Sequence, residues 1–254
     1  MSYTVENIYR YPVKGLSAES LGSVALSPGQ ALPHDRRFAL ALGSTKAEAA
    51  ATEWLPKTSF LMLMRNEKLA TLETSFNDED EVLSVLRNGK QVARGKLTDR
   101  LGRGMIEDFF AAYMGDEARG RPKLVEGADG RVLSDHRAPV VSLINIASVK
   151  DLERVTGQPV NPLRFRANIY FRTERPWSEF EWIDKEITIG GAKLRVSQRI
   201  NRCAATNVDP ETAERDMNIP KDLQRGFRHV DCGIYAEVIG AGNVATGDEI
   251  KIPD

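Results

Sequence analysis

The chain has 254 residues, 41% of them hydrophobic and 28% charged, with a formal net charge of -1. That balance excludes a disordered or fibrous chain, and without a basic excess it argues against nucleic acid as a partner, while leaving room for a local basic pocket that takes a small anion. No apolar run approaches the ~18 residues of a membrane span, the first residues lack the features of a secretory signal, and two cysteines without C-x-x-C spacing cannot build a disulfide framework. A reduced, cytoplasmic setting with no membrane contact is expected.

In chain order, Val5, Ile8 and Tyr9 predict a first strand broken at Pro12, and residues 21–26 a second, closed by Ser27-Pro28-Gly29. Phe38 to Leu42 is a compact apolar strand. Residues 61–64, 69–72 and 82–86 read as further strands, with Asn88-Gly89 as a tight hairpin turn. Leu101, Met105, Ile106, Phe109, Phe110 and Tyr113 recur at helical spacing and predict an amphipathic helix ending near Gly115. Residues 115–139 read as connection with at most one short strand. There follow a buried strand from Val140 to Ile146, a helix from Ser148 to Gly157 capped by Ser148, a strand over 169–171, a hairpin over 187–196, and closing strands over 235–239 and 250–252. Short strands at this spacing favour a barrel or sandwich over a βαβ sheet. The expected class is mainly β with a few helices, in two β-rich lobes covering residues 1–115 and 116–254.

Cys203 follows the alternating hairpin and precedes Asp209-Pro210, a turn signal, so it falls where a strand empties into a loop. Guanidinium groups of Arg199 and Arg202, if near in space, would favour its thiolate, which is both a nucleophile and a soft metal ligand. On these residues alone a quiet core thiol is an equal alternative. Arg164, Arg166 and Asn168 alternate and share one face if extended, a pattern suited to a phosphate or carboxylate. A solvated strand face is the commoner meaning of such a pattern. Asp35-Arg36-Arg37 reads equally as a surface ion pair, and Lys14 sits in a loop bounded by Pro12 and Gly15. The scattered His34, His136 and His229 argue against a histidine-based zinc site, and no glycine-rich phosphate loop is present.

Taken together, Tyr11-Pro12-Val13-Lys14 with Asp35-Arg36, the run Ser142 to Ser148, the run Arg164 to Ile169, Arg202-Cys203-Ala204-Ala205-Thr206-Asn207-Val208-Asp209-Pro210, and the Gly-x-x-x-x-Gly-Asp turn over 242–248 resemble the signatures of the MOSC family, named for the C-terminal domain of molybdenum cofactor sulfurase. The order and spacing hold from residue 3 to 252. The resemblance implies a MOSC β-barrel of the pyruvate-kinase-barrel type preceded by an N-terminal β-barrel-like lobe. It also implies a molybdenum-pterin cofactor (Mo-molybdopterin), with Cys203 as the molybdenum ligand and Lys14, Arg36 and Arg166 holding pterin and phosphate. Asn145, Asn168, Arg202 and Thr206 fall in the neighbouring signatures and are carried over with them. Asp209 is expected to orient its loop or deliver a proton, with a turn cap as an equal alternative.

The activity so implied is reduction of a small N-hydroxylated compound. Electrons would come from a separate reductase or ferredoxin-type protein, because two cysteines cannot hold an iron–sulfur cluster. The same residues also suit a non-catalytic cofactor carrier, or a sulfur carrier that uses a Cys203 persulfide. Pyridoxal phosphate binding, part of the family-level description, is not expected without an aminotransferase-like region. Three departures stand out: Gly15 where relatives often carry Ser, Ala167 where proline is common, and Asp231-Cys232-Gly233 in place of Phe-Gly. Cys232 is therefore read as structural.

Overall fold

The computed structural model describes residues 3–252. Strands β1 (Thr4–Arg10), β2 (Glu19–Leu21), β3 (Ser23–Leu26) and β4 (Phe38–Ala41) precede a short helix, α1 (Ala47–Thr52). A meander of β5 (Leu72–Asn77), β6 (Val82–Arg87) and β7 (Lys90–Lys96) leads into α2 (Arg100–Met114) and β8 (Lys123–Glu126). The second half runs β9 (Val141–Asn145), α3 (Ile146–Thr156), β10 (Ile169–Arg172), β11 (Glu186–Ile189), β12 (Ala192–Asn201), α4 (Ile219–Phe227), β13 (Asp231–Gly240), β14 (Gly242–Ala245) and β15 (Ile250–Lys251). The molecule is mainly β, as the sequence predicts.

Eight strands form one curled sheet in the order β15-β11-β12-β13-β9-β10-β1-β2. Only β9 and β10 run parallel, joined by α3 as the crossover helix. The curl brings β1 round to the chain entering β15. Thr4 bridges Glu249, Val5 N donates to Asp248 O (2.9 Å), and Ile250 N donates to Tyr3 O (2.7 Å). Inside lie Val5, Ile8, Leu143, Phe171, Leu194 and Ile234, all buried. Strand β12 shows how the sequence dictates this: Ala192, Leu194 and Val196 face in, while Lys193 and Arg195 face out. Each large aliphatic side chain so buried contributes about 1.5–3 kcal/mol relative to exposure.

A second core gathers Val13, Leu40, Leu83, Val85, Ile106 and Phe110 between the meander, the β4–β8 pair and α2. Asp99 caps α2 by accepting from Gly102 N (2.6 Å). A Cβ on Gly102 would lie 2.2 Å from Lys96 O, so only glycine lets the helix rest directly on β7. The two halves of the chain interleave, because β1 pairs with β10 and β3 with β14. Among the described residues, no helix is long and apolar enough to cross a membrane.

Several local expectations change. Residues 61–64 lie outside the named strands, and 67–71 form a 3-10 turn. Leu61, Met62 and Leu69 are buried, Leu61 and Leu69 in the second core, without pairing as strands. Helix α3 begins directly from β9, so its cap is Asn145, whose Oδ1 accepts from Ala147 N (3.0 Å), and not Ser148. Residues 164–168 are not extended. Asn161 caps a 3-10 turn with Pro162 in its first position, and Arg166 follows at φ 52°. The Asn88-Gly89 turn does form, with both residues at positive φ (51° and 70°), which matches the twist of a two-residue turn to that of its strands.

Candidate functional site

Strand β12 ends at Asn201, and the chain turns at Cys203 into a 3-10 turn over Ala204–Asn207. Thr206 closes that turn, donating from N (3.1 Å) and Oγ1 (2.9 Å) to Cys203 O. The half-buried thiol lines a cavity of about 330 Å3. Six basic side chains line it (Lys14, Arg36, Lys57, Arg164, Arg166 and Arg202) against two acidic ones, Asp35 and Asp135. A space of that size and sign suits a small polyanion.

Each cation is held in place differently. Lys14 Nζ donates to Leu133 O (3.0 Å) and pairs with Asp135 Oδ1 (2.6 Å). Burial pushes the Lys14 ammonium below its ordinary value, and Asp135 opposes this. The Asp135 carboxyl is raised by burial, but Lys14, then Lys57 and Arg36, hold it below its ordinary value overall. Arg36 pairs with Asp35 and donates through Nη2 to Arg166 O (2.6 Å). Arg36 and Arg166 both adopt left-handed backbone (φ 46° and 52°), which is uncommon outside glycine. Both guanidinium groups also stack on Tyr11, 4.4 and 4.3 Å from the ring centroid. Arg166 has no carboxylate partner among the ion pairs of the described residues, and its buried Nη2 lacks any hydrogen-bond partner. Burial above all, and then Arg36 beside it, drive its guanidinium down to about 10.

Arg202 donates to Cys232 O (2.7 Å) and Phe165 O (2.9 Å), and its buried Nη2 is likewise unpartnered. Cys232 is fully buried, and burial pushes its thiol up to about 12, the state of an inert core cysteine. Arg164 is committed elsewhere: its side chain, 1% exposed, pairs with Asp209 (2.6 Å) and Asp216 (2.7 Å). Asp209 is absent from the cavity wall. Its Oδ1 accepts from Glu211 N and Thr212 N (2.8 and 2.9 Å), so both carboxylate oxygens serve the loop. Asn168 does line the cavity, but its amide is spent on Ser142 and Tyr9 O. Asn145 is buried outside it, donating to Glu179 (2.9 Å). The two nearest arginines in sequence also divide, because Arg199 stacks on Phe180 (4.3 Å) away from the cavity wall.

Lys57 lines the same cavity as the thiol, and no motif or spacing marks it. Burial pulls the Lys57 ammonium down, but the Cys203 sulfur, by charge and hydrogen bond, and then Asp135 outweigh that and hold it above its ordinary value. Lys57, Asp135 and His136 lie in a 3-10 turn and an irregular loop without periodicity, so no pattern marks them. Among the described residues, no group of three or more His, Cys, Asp or Glu could hold a metal.

The MOSC domain family model matches residues 129–251. That stretch is a MOSC domain. It supplies Asp135, Arg166, Arg202 and Cys203 to the cavity, while Lys14, Arg36 and Lys57 precede it. Among curated proteins, the chain is 24% identical over 155 residues to mouse (Mus musculus) mitochondrial amidoxime-reducing component 1, covering 56% of this chain and 45% of that protein. It is 27% identical over 122 residues to component 2 of Bos taurus, covering 43% of this chain and 36% of that one. The matched segments thus span less than half of either relative. Among solved structures, the YUAD protein of Bacillus subtilis aligns over 99% of this chain and 96% of its own, at 13% identity and a TM-score of 0.46.

Two of the family departures have local causes. Gly15 lies at φ 85°, and a Cβ there would stand 3.0 Å from Leu61 O, so a serine would be strained. Ala167 N donates to the Tyr170 hydroxyl (3.0 Å), a bond that proline would remove.

Proposed function

We propose that this MOSC protein binds a molybdenum-pterin cofactor in the Cys203 cavity and acts as an oxidoreductase that reduces small N-hydroxylated compounds. The observation that carries this reading is a half-buried thiol sharing one cavity with six cations, three of which, Arg164, Arg166 and Arg202, keep a buried donor unpartnered. Unmet buried donors cost free energy in an empty protein, which supports an anionic occupant that meets them. The residues present therefore fit the group.

In this reading Cys203 supplies one soft ligand to the metal, and Lys14, Arg36, Arg166 and Arg202 hold the anionic pterin phosphate. Asn168 and Thr206 shape the wall through the bonds described above. The bound group would supply two-electron chemistry and an acceptor for the substrate oxygen. Lys57 sets a positive charge beside the sulfur, and Asp135 fixes Lys14 and Lys57 relative to one another. Asp209 has both oxygens engaged, which supports orientation of the loop over proton delivery. Electrons would come from a separate reductase or ferredoxin-type protein. The similarity to amidoxime-reducing components, whose names give the substrate class, supports the choice of N-hydroxylated compounds.

The test is expression in a host that makes molybdenum cofactor, followed by measurement of molybdenum and pterin in wild type and Cys203→Ser. Wild type is expected to carry both, and Cys203→Ser to lose molybdenum. A wild-type protein with neither would overturn the reading. Bound cofactor with no reduction of an amidoxime, given a competent electron donor, would make the protein a carrier. The ammonium beside a half-buried thiol also suits a nucleophile. A Cys203 persulfide found by mass spectrometry after incubation with a cysteine desulfurase would favour sulfur transfer.

A further inference from the structure

Beside the Cys203 cavity lies a second one of about 150 Å3. Its wall is largely hydrocarbon, with Leu16, Leu69, Leu72 and Val208 each no more than 2% exposed. An apolar space of roughly this volume stays dry and takes a benzene-sized molecule. Gly15, Leu63, Arg164, Arg166 and Ala205 belong to the walls of both cavities, so the two spaces adjoin. Ala205 stands only two residues beyond the thiol.

The wall shared by the two cavities carries the two arginines of this lining, and Tyr11 and Ser17 add polar groups elsewhere. Arg166 serves the cofactor in the reading above, which leaves Arg164 Nε, buried and without a hydrogen-bond partner, to this cavity. A ligand that fills the hydrocarbon space and carries an acceptor at one end would meet what both parts of the wall offer. The pairings of Arg164 with Asp209 and Asp216 offset its charge, so this pocket favours a neutral acceptor such as an amide or oxime oxygen over a second phosphate.

We propose that the second cavity binds the apolar group of the substrate, an aryl or short branched alkyl moiety, while its nitrogen–oxygen function reaches past Ala205 into the Cys203 cavity. The role as a substrate pocket rests on the oxidoreductase reading. The binding of a small arene does not.

Crystallography, solution binding and kinetics test the proposal. Crystals of the full chain soaked with an iodobenzamide are expected to show iodine between Leu69, Leu72 and Val208. In solution, benzamide followed by saturation-transfer NMR is expected to bind wild type and to lose about tenfold in affinity with Ala70→Phe, which fills the space from its 3-10 turn. Iodine only in the Cys203 cavity, or no iodine at all, overturns the pocket. So does unchanged benzamide affinity in a folded Ala70→Phe, and should that variant not fold, the soaked wild-type crystal decides alone. On cofactor-loaded protein, Ala70→Phe should raise KM for an aryl amidoxime and leave that for hydroxylamine unchanged. An equal effect on both would overturn the substrate role. Molybdenum and pterin content of the same preparations reports separately on the cofactor, so arene binding without metal would sink the oxidoreductase reading and leave the pocket standing.

Discussion

At the thiol, the chemistry turns on cations that differ in how completely they are neutralised. Arg36 has Asp35 and Lys14 has Asp135, whereas Arg166 is buried without an acid, on a left-handed residue. Its cost to the empty protein should therefore be recovered on ligand binding. Arg166→Gln is expected to change the stability of the ligand-free protein by no more than about 1 kcal/mol. It should lower retention of the pterin roughly tenfold or more, as one charge-assisted hydrogen bond worth about 1.5–3 kcal/mol is lost. Thermal unfolding and pterin content per chain measure the two effects. Glu179 gives a second expectation, independent of any ligand. It lies buried beneath Asn145 and Ser148, which donate to its two oxygens (2.9 and 2.8 Å). Burial, working against those bonds, pushes its carboxyl from an ordinary 4.5 up to about 6. The folded state thus holds this proton to higher pH than the unfolded chain. Its contribution, about 2 kcal/mol, is present below pH 4.5 and lost as pH rises through about 6. Urea titrations across that window should show the fall in wild type and its absence in Glu179→Gln; an unchanged slope in the variant would contradict the assignment.

At the scale of elements, the loop from Cys203 to Asp216 is held from both sides. Arg164 anchors it from within through Asp209 and Asp216. Arg215 reaches across from it to Leu63 O (3.1 Å), Met64 O (2.9 Å) and Glu67 (3.0 Å). Arg164→Ala leaves two carboxylates without their shared cation and should cost about 3 kcal/mol, the low end for a broken buried pair because the acids are partly exposed. Asp209→Asn separates the two roles given to that residue. A loop role predicts lower stability with an unaltered pH–rate profile, and a shifted profile would restore proton delivery. These elements also mark where the sequence could be read. The alternation of β12, the Asn88-Gly89 turn and the spacing of Leu101 to Tyr113 each carry a period or turn chemistry, and each formed. The run from Leu61 to Leu72 carries burial but no period, so strands were expected where a loop and a 3-10 turn stand. The family signature marks Arg166 as an anion ligand, whereas the alternation around it suggests only an extended strand. Arg166 reaches the cavity by a turn instead, because Pro162 and the Asn161 cap begin one. Lys57 was invisible for a different reason: its significance lies in a neighbour 146 positions away, and nothing local records that.

At the scale of the molecule, the sheet joins strands from both ends of the chain. We propose that the two lobes divided near residue 115 are distinct in space but share strands, with β1, β2 and β3 lent to the second. Residues 116–254 expressed alone should then fail to unfold cooperatively, since β10 loses β1 and β14 loses β3. Adding residues 1–115 in trans should restore a cooperative transition by circular dichroism, and a cooperative fragment on its own would contradict the shared sheet. The barrel's closure has a temporal side as well. Thr4 emerges from the ribosome long before Arg172 and Glu249, its partners across the sheet. The first strand can pair with β2 early, but its other edge must wait for β10, and contacts of such long range make folding slow and exposed to aggregation. Lys14 and Cys203 meet only once that wait ends. Any occupant of their cavity is loaded into a finished chain, and its arrival is a step that a cell could schedule separately from translation.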